Sequence, residues 1–101
     1  MSDVKNRIEQ ILGKDRIVLF MKGSPSFPQC GFSARAVAIL RELGAKFSSV
    51  DVLEDEDIRQ GIKEYGNWPT IPQLYIDKQL VGGSDIMMEM FQSGELKDLI
   101  K

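Results

Sequence analysis

The side chain with the most chemistry to offer is Cys30, the only cysteine in a chain of 101 residues that contains no histidine. It opens the tetrapeptide Cys30-Gly31-Phe32-Ser33, and a helical pattern of apolar residues follows, so the thiol sits at a helix N-terminus. Unpaired backbone N–H groups and the positive end of the helix dipole both favour thiolate over thiol there. The polar, Pro-rich loop before Cys30 argues for an exposed, nucleophilic, metal-competent sulfur rather than the buried, inert thiol that free cysteines commonly become. Without histidine there are no Cys-His or Ser-His nucleophile pairs, no HExxH zinc site and no imidazole acid-base step. Without a second cysteine there is no internal disulfide, CxxC pair or four-thiolate metal site in one copy of the chain. Any sulfur chemistry therefore recruits a second molecule.

Three further segments offer binding groups. Lys22 ends the apolar run Ile17 to Met21, where a sheet delivers its carboxyl end and open α/β sheets place ligands. Its charge would help to hold Cys30 as thiolate, although by itself Lys22, like Arg59, reads as an ordinary solvated cation. Ile71-Pro72 lies between a Trp68-Pro69 turn and a strand. A cis peptide there would turn the Ile71 backbone sideways as an edge for an extended peptide ligand; the alternative is a simple kink. Gly82-Gly83-Ser84-Asp85 forms either a carboxylate-binding corner at a helix N-terminus or only a tight turn. Met87, Met88 and Met90 with Phe91 recur at helical spacing and read as core rather than as a soft metal site.

The elements that must position these groups follow from periodicity. Val4, Ile8, Ile11 and Leu12 predict an amphipathic first helix that Gly13 can close. The unbroken run Ile17 to Met21 reads as a strand buried on both faces, which requires helices on both sides of a sheet. From Gly31 to Leu43 a second helix is expected to face inward through Ala34, Val37, Ala38 and Leu43 and to stop at Gly44. Phe47 to Val52 alternate as a strand, and Asp55 caps a third helix with an Ile58, Ile62, Tyr65 stripe. Gln73 to Ile76 and Leu80 to Val81 flank an Asp77-Lys78-Gln79 turn, a helix capped by Ser84 or Asp85 follows, and a last helix spans Glu95 to Ile100. This order predicts an α/β, thioredoxin-like fold: a mixed four-stranded sheet sandwiched by helices, formed by residues 1-101 as a single domain.

With 13 Lys and Arg against 15 Asp and Glu, the charge is too balanced for a nucleic-acid or anionic-membrane surface, so no such partner is expected. The polar start Met1 to Asn6 enters the first helix without a signal or transit pattern, and no apolar run approaches the roughly 20 residues of a membrane span. A lone cysteine suits a reducing compartment, so a cytoplasmic location is expected.

Four motifs in order, Lys22-Gly23-Ser24-Pro25, Cys30-Gly31-Phe32-Ser33, Trp68-Pro69-Thr70-Ile71-Pro72-Gln73-Leu74 and Gly82-Gly83-Ser84-Asp85, resemble the monothiol glutaredoxins of the Cys-Gly-Phe-Ser type over nearly the whole chain. The resemblance implies a glutathione site in which Lys22 and Arg59 bind the glycyl carboxylate, the Ile71 backbone pairs with the cysteinyl part, and Ser84 and Asp85 hold the γ-glutamyl end. It also implies a labile two-iron, two-sulfur (2Fe-2S) cluster bridging two protomers, ligated by Cys30 of each and by one glutathione per protomer. Cluster storage and transfer would be the function, with a homodimer in the cluster-bound state. Scaffold proteins, recipient apo-proteins and BolA-like proteins would be the partners. The alternative is a glutathione-dependent thiol-disulfide oxidoreductase using the same residues, for which the resemblance implies weak activity. Some relatives carry a second cysteine where this chain has Ser84, so their internal disulfide has no counterpart here.

Overall fold

The computed structural model describes residues 2–101. Its elements are α1 (Ser2–Lys14), β1 (Ile17–Met21), α2 (Gly31–Glu42), β2 (Ser48–Asp51), α3 (Glu56–Tyr65), β3 (Gln73–Ile76), β4 (Gln79–Gly82), α4 (Ser84–Ser93) and α5 (Glu95–Ile100), with a 3-10 turn at Val52–Glu54. The sheet order is β2-β1-β3-β4, with β1 parallel to β2 and antiparallel to β3, and β3 antiparallel to β4. This is the expected mixed four-stranded sheet.

Strand β1 explains why helices cover both faces. All five of its residues are buried, and side chains alternate across a strand. Ile17, Leu19 and Met21 pack with Ala36, Val37, Ile39 and Leu40 of α2, Met87 of α4 and Leu96 of α5. Val18 and Phe20 join Ile8 and Leu12 of α1, Ile58 and Ile62 of α3, and Tyr75 on the other side. Lys22 and the loop to Cys30 thus leave the carboxyl end of a strand that is fixed from two sides.

Local details differ from the sequence pattern for identifiable reasons. Helix α2 faces inward through Ser33, Ala36, Val37, Ile39 and Leu40, whereas Ala34 and Ala38 are exposed; alanines pattern ambiguously because either environment suits them. Strand β2 is shorter than Phe47 to Val52. Asp51 Oδ1 accepts the Leu53 N–H at 2.9 Å and draws Val52 into the 3-10 turn. Gly13 does not end α1, which runs to Lys14, while Gly44 at φ 68° does close α2: its N–H and that of Ala45 bond to the Arg41 and Leu40 carbonyls. The hairpin turn is two residues, Asp77 and Lys78, both at positive φ as a type I′ turn requires, and Gln79 already belongs to β4. Asp55 caps α3 as expected, its Oδ1 accepting the Ile58 N–H at 3.2 Å. Its carboxyl is held below the usual range by the Arg7 guanidinium, then by that N–H. Among the described residues no helix is long and apolar enough to cross a membrane.

A buried polar chain fixes the segment between α3 and β3. Tyr75 Oη donates to Gln73 Oε1 at 3.1 Å, and Gln73 Nε2 donates to the carbonyls of Trp68 at 3.0 Å and Thr70 at 3.2 Å. Burial pushes the Tyr75 phenol up to about 12. The unfolded chain loses this proton near its ordinary value of about 10, so the native state then holds more protons and stability falls as pH rises between the two values. Tyr75→Phe is expected to cost about 1–3 kcal/mol near neutral pH by leaving Gln73 Oε1 unpartnered. Denaturant titrations from neutral to alkaline pH should show that the variant lacks the alkaline loss, which approaches about 1.4 kcal/mol per pH unit in the parent.

Candidate functional site

Cys30 occupies the N-cap of α2 in extended backbone, at φ −157° and ψ 139°. The sulfur is half-buried. Its pKa is lowered by hydrogen bonding to the Ser33 backbone N–H above all. Partial desolvation opposes this, and the Phe32 N–H, the Lys22 charge and the Ser33 hydroxyl add to the lowering. The helix start therefore shifts the thiol toward thiolate.

Ser33 joins the thiol to the sheet. It is completely buried, and its Oγ accepts the Lys22 N–H at 3.0 Å. That bond occupies a lone pair and leaves the hydroxyl proton for the Cys30 sulfur. In sequence Ser33 shows only as the last letter of a tetrapeptide; its burial and its link to Lys22 are tertiary facts.

The loop between β1 and Cys30 is tied back on itself. Gly23 and Pro28 form an antiparallel bridge, the Gln29 N–H donates to the Lys22 carbonyl at 2.9 Å, and Ser24 and Phe27 exchange backbone bonds at 3.0 and 3.2 Å. Asp51 Oδ1 accepts the Gly23 N–H at 2.9 Å in addition to that of Leu53. One carboxylate thus anchors the base of this loop to the end of β2. Phe27 in this loop is left 73% exposed and Phe32 in the first turn of α2 56% exposed.

At the neighbouring end of the sheet, the Ile71-Pro72 peptide is cis, and the Ile71 side chain is buried in the core. Only its backbone is therefore offered to a ligand. Helix α4 begins after Gly83, which is the N-cap in place of the expected Ser84 or Asp85, and no side chain caps it. Ser84, as the first helical residue, cannot also supply the cap: it is 6% exposed, and its Oγ has no partner. Asp85 is exposed and pairs with Arg35 of α2 at 3.4 Å, a connection that sequence reasoning missed.

Arg59 stands on α3 with Nη1 3.5 Å from Glu56, and its buried Nε has no partner. The contacts join Lys22 to Cys30 and Asp85 to the Cys30 helix through Arg35, whereas those of the Arg59 side chain stay within α3. The assembled features are a stabilised thiolate, a cation beside it, a backbone edge and an uncapped helix start.

The glutaredoxin family profile matches residues 17–81. A protein of Synechocystis described as an uncharacterized monothiol glutaredoxin, ycf64-like, is 52% identical over 99 residues, covering 98% of this chain and 92% of that protein. The solution structure of reduced apo GrxS14 from poplar superposes with a TM-score of 0.84 at 52% identity, covering 94% of this chain and 87% of that one. A crystal structure of a buckwheat glutaredoxin-glutathione complex shares the fold, with a TM-score of 0.86 at 22% identity over 98% of this chain and 88% of that one. With one cysteine, in Cys30-Gly31-Phe32-Ser33, and this fold, the chain belongs to the glutaredoxin family as a monothiol member of the Cys-Gly-Phe-Ser type.

Proposed function

We propose that this glutaredoxin binds glutathione beside Cys30 and uses the two thiolates to carry a labile 2Fe-2S cluster as cargo between two protomers. The observation that carries the reading is the sole thiol, its pKa lowered at the start of α2 by the Ser33 and Phe32 amides and the Lys22 charge. A 2Fe-2S cluster takes four ligands, usually thiolates. Two protomers contribute two through Cys30, and two glutathiones complete the set.

The chain's polar groups fit the tripeptide, which has two carboxylates and one ammonium. Lys22 and Arg59 supply cations for the glycyl carboxylate, and the Arg59 Nε is a buried donor without a partner. The Ile71 backbone offers an edge for the cysteinyl part. The uncapped α4 amides and the orphan Ser84 hydroxyl suit the γ-glutamyl carboxylate, and the exposed Asp85 suits its ammonium. The glutathione bound to the structurally similar buckwheat glutaredoxin supports this choice of ligand.

Because half the cluster ligands are held non-covalently, the cluster leaves readily, which suits transfer from an assembly scaffold to recipient apo-proteins, with BolA-like proteins as further partners. The same thiolate supports a second reading, glutathione-dependent disulfide exchange. Cys30 attacks a glutathione mixed disulfide, takes up the glutathionyl sulfur and releases the substrate thiolate; a second glutathione thiolate then forms glutathione disulfide and restores Cys30.

Anaerobic reconstitution with iron, sulfide and glutathione tests the carrier. The expected product is a cluster-coloured dimer by visible absorption and native mass, formed only when glutathione is present. A colourless monomer under every condition would sink the carrier reading for the isolated protein and leave disulfide exchange.

A further inference from the structure

We infer that the Trp68 indole N–H belongs to the glutathione site and donates to the γ-glutamyl carboxylate. This rests on the glutathione reading above and adds a residue to it.

Buried polar atoms almost always have hydrogen-bond partners, so each exception calls for an explanation. Among the described residues three buried side-chain atoms lack one: Arg59 Nε, Ser84 Oγ and Trp68 Nε1. Arg59 and Ser84 are already assigned to glutathione. Trp68 stands apart in sequence but not in space. Its Nε1 lies 3.4 Å from the point a β-carbon on Gly83 would occupy, and Gly83 is the N-cap of the ten-residue helix α4, directly before Ser84. The indole nitrogen therefore borders the uncapped helix start, whose first residue is Ser84 with its buried, unpartnered hydroxyl.

The backbone that carries the ring is held there. The Trp68 N–H donates to the Lys63 carbonyl at 3.0 Å, and its own carbonyl accepts from Gln73 Nε2 at 3.0 Å. Gln73 is completely buried and fixed in turn by Tyr75. An indole N–H only donates, and the amides opening α4 only donate. Together with the positive end of the helix dipole these donors favour an anion, best a carboxylate taking several charge-assisted bonds, and the Pro72 carbonyl oxygen borders them on the same side of Gly83. In the glutathione pose above, the carboxylate at this helix is the γ-glutamyl one. Gly83 has no side chain to separate the indole from the ligand, and a β-carbon there would also come within 3.2 Å of the Pro72 carbonyl.

The test uses two readouts. Trp68 is the only tryptophan, so its emission reports the site directly. Glutathione and γ-glutamylcysteine are expected to shift that emission with the affinity calorimetry gives, and cysteinylglycine, which lacks the γ-glutamyl group, is expected not to. Trp68→Phe, which keeps a ring but removes the N–H, is expected to weaken glutathione and γ-glutamylcysteine binding about tenfold and to leave cysteinylglycine binding unchanged. Equal affinities in parent and folded variant, or an emission unmoved at saturating glutathione, would assign the ring to loop packing and overturn the inference. If the variant does not fold, the parent's emission titrations decide alone. A parent that binds no glutathione in calorimetry overturns the underlying reading itself, a result distinct from tight binding that leaves Trp68 silent.

Discussion

Cys30→Ser is expected to abolish thiol alkylation, glutathione exchange and cluster assembly while leaving the fold intact. Serine is among the preferred N-cap residues, and Cys30 occupies the N-cap of α2. The serine hydroxyl can accept from the same Ser33 and Phe32 amides that favour the thiolate, so stability is expected to stay within about 1 kcal/mol of the parent. Loss of function with a denaturation midpoint close to the parent's separates a chemical role from a structural one. In the parent, iodoacetamide should modify Cys30 with a pH midpoint below the ordinary thiol value of about 8.5, because the Ser33 amide, the Phe32 amide and Lys22 favour the thiolate over the opposing desolvation. The sign follows from that depressed value: the thiolate's contribution to stability is present above the unfolded pKa and is lost as pH falls through the folded one. The serine variant should lack this acid-side dependence. Cluster colour in the variant would show that another group replaces the thiolate and would remove the basis of the carrier reading.

The fold was legible wherever one residue type had one possible meaning. Five consecutive large apolar residues from Ile17 to Met21 have no solvent-facing side, so helices on both faces were implied before any contact was seen. Asp55 ahead of an acidic first turn and an isoleucine stripe reads only as a cap. Legibility failed where local chemistry competes with pattern. Val52 continues the alternation of β2, yet it lies outside the strand, because the Asp51 carboxylate turns the chain at Leu53. Ser84 and Asp85 have the chemistry of caps, yet Gly83 takes that place and leaves them inside the helix.

The candidate site divides in the same way. The position of Cys30 followed from its place before a helical run, and the thiolate character followed from the position. What sequence did not carry was every link made by approach between distant segments. The Ser33 bond to Lys22, the Arg35 pair with Asp85 and the indole of Trp68 beside Gly83 join residues 11, 50 and 15 positions apart. None has a periodic signature, since a hydroxyl, a guanidinium or an indole at those positions suits solvent equally well until the fold brings its partner within reach.

Gly23→Ala tests whether the loop before Cys30 is a positioning device or a passive connection. Gly23 adopts φ 88°, where an L side chain is strained. Its β-carbon would fall 2.5 Å from the Phe27 carbonyl oxygen and 2.6 Å from the Gln29 nitrogen, both backbone atoms that cannot swing aside. Backbone strain of about 1–2 kcal/mol and overpacking of about 1–3 kcal/mol together predict a loss of about 2–5 kcal/mol. That is a large part of the stability of a small domain. Denaturant unfolding should show it, with Gly31→Ala as the control, because nothing lies within 4 Å of a β-carbon there. The loss should also reach the chemistry. Relief of the clash displaces Gln29, whose N–H holds the Lys22 carbonyl and whose next residue is Cys30. The thiol then moves relative to the Lys22 charge and the helix amides, and its alkylation midpoint should rise toward the ordinary thiol value in Gly23→Ala but not in Gly31→Ala. A destabilised variant with an unmoved midpoint would mean that α2 alone sets the thiolate, with the loop serving only to cover the sheet end.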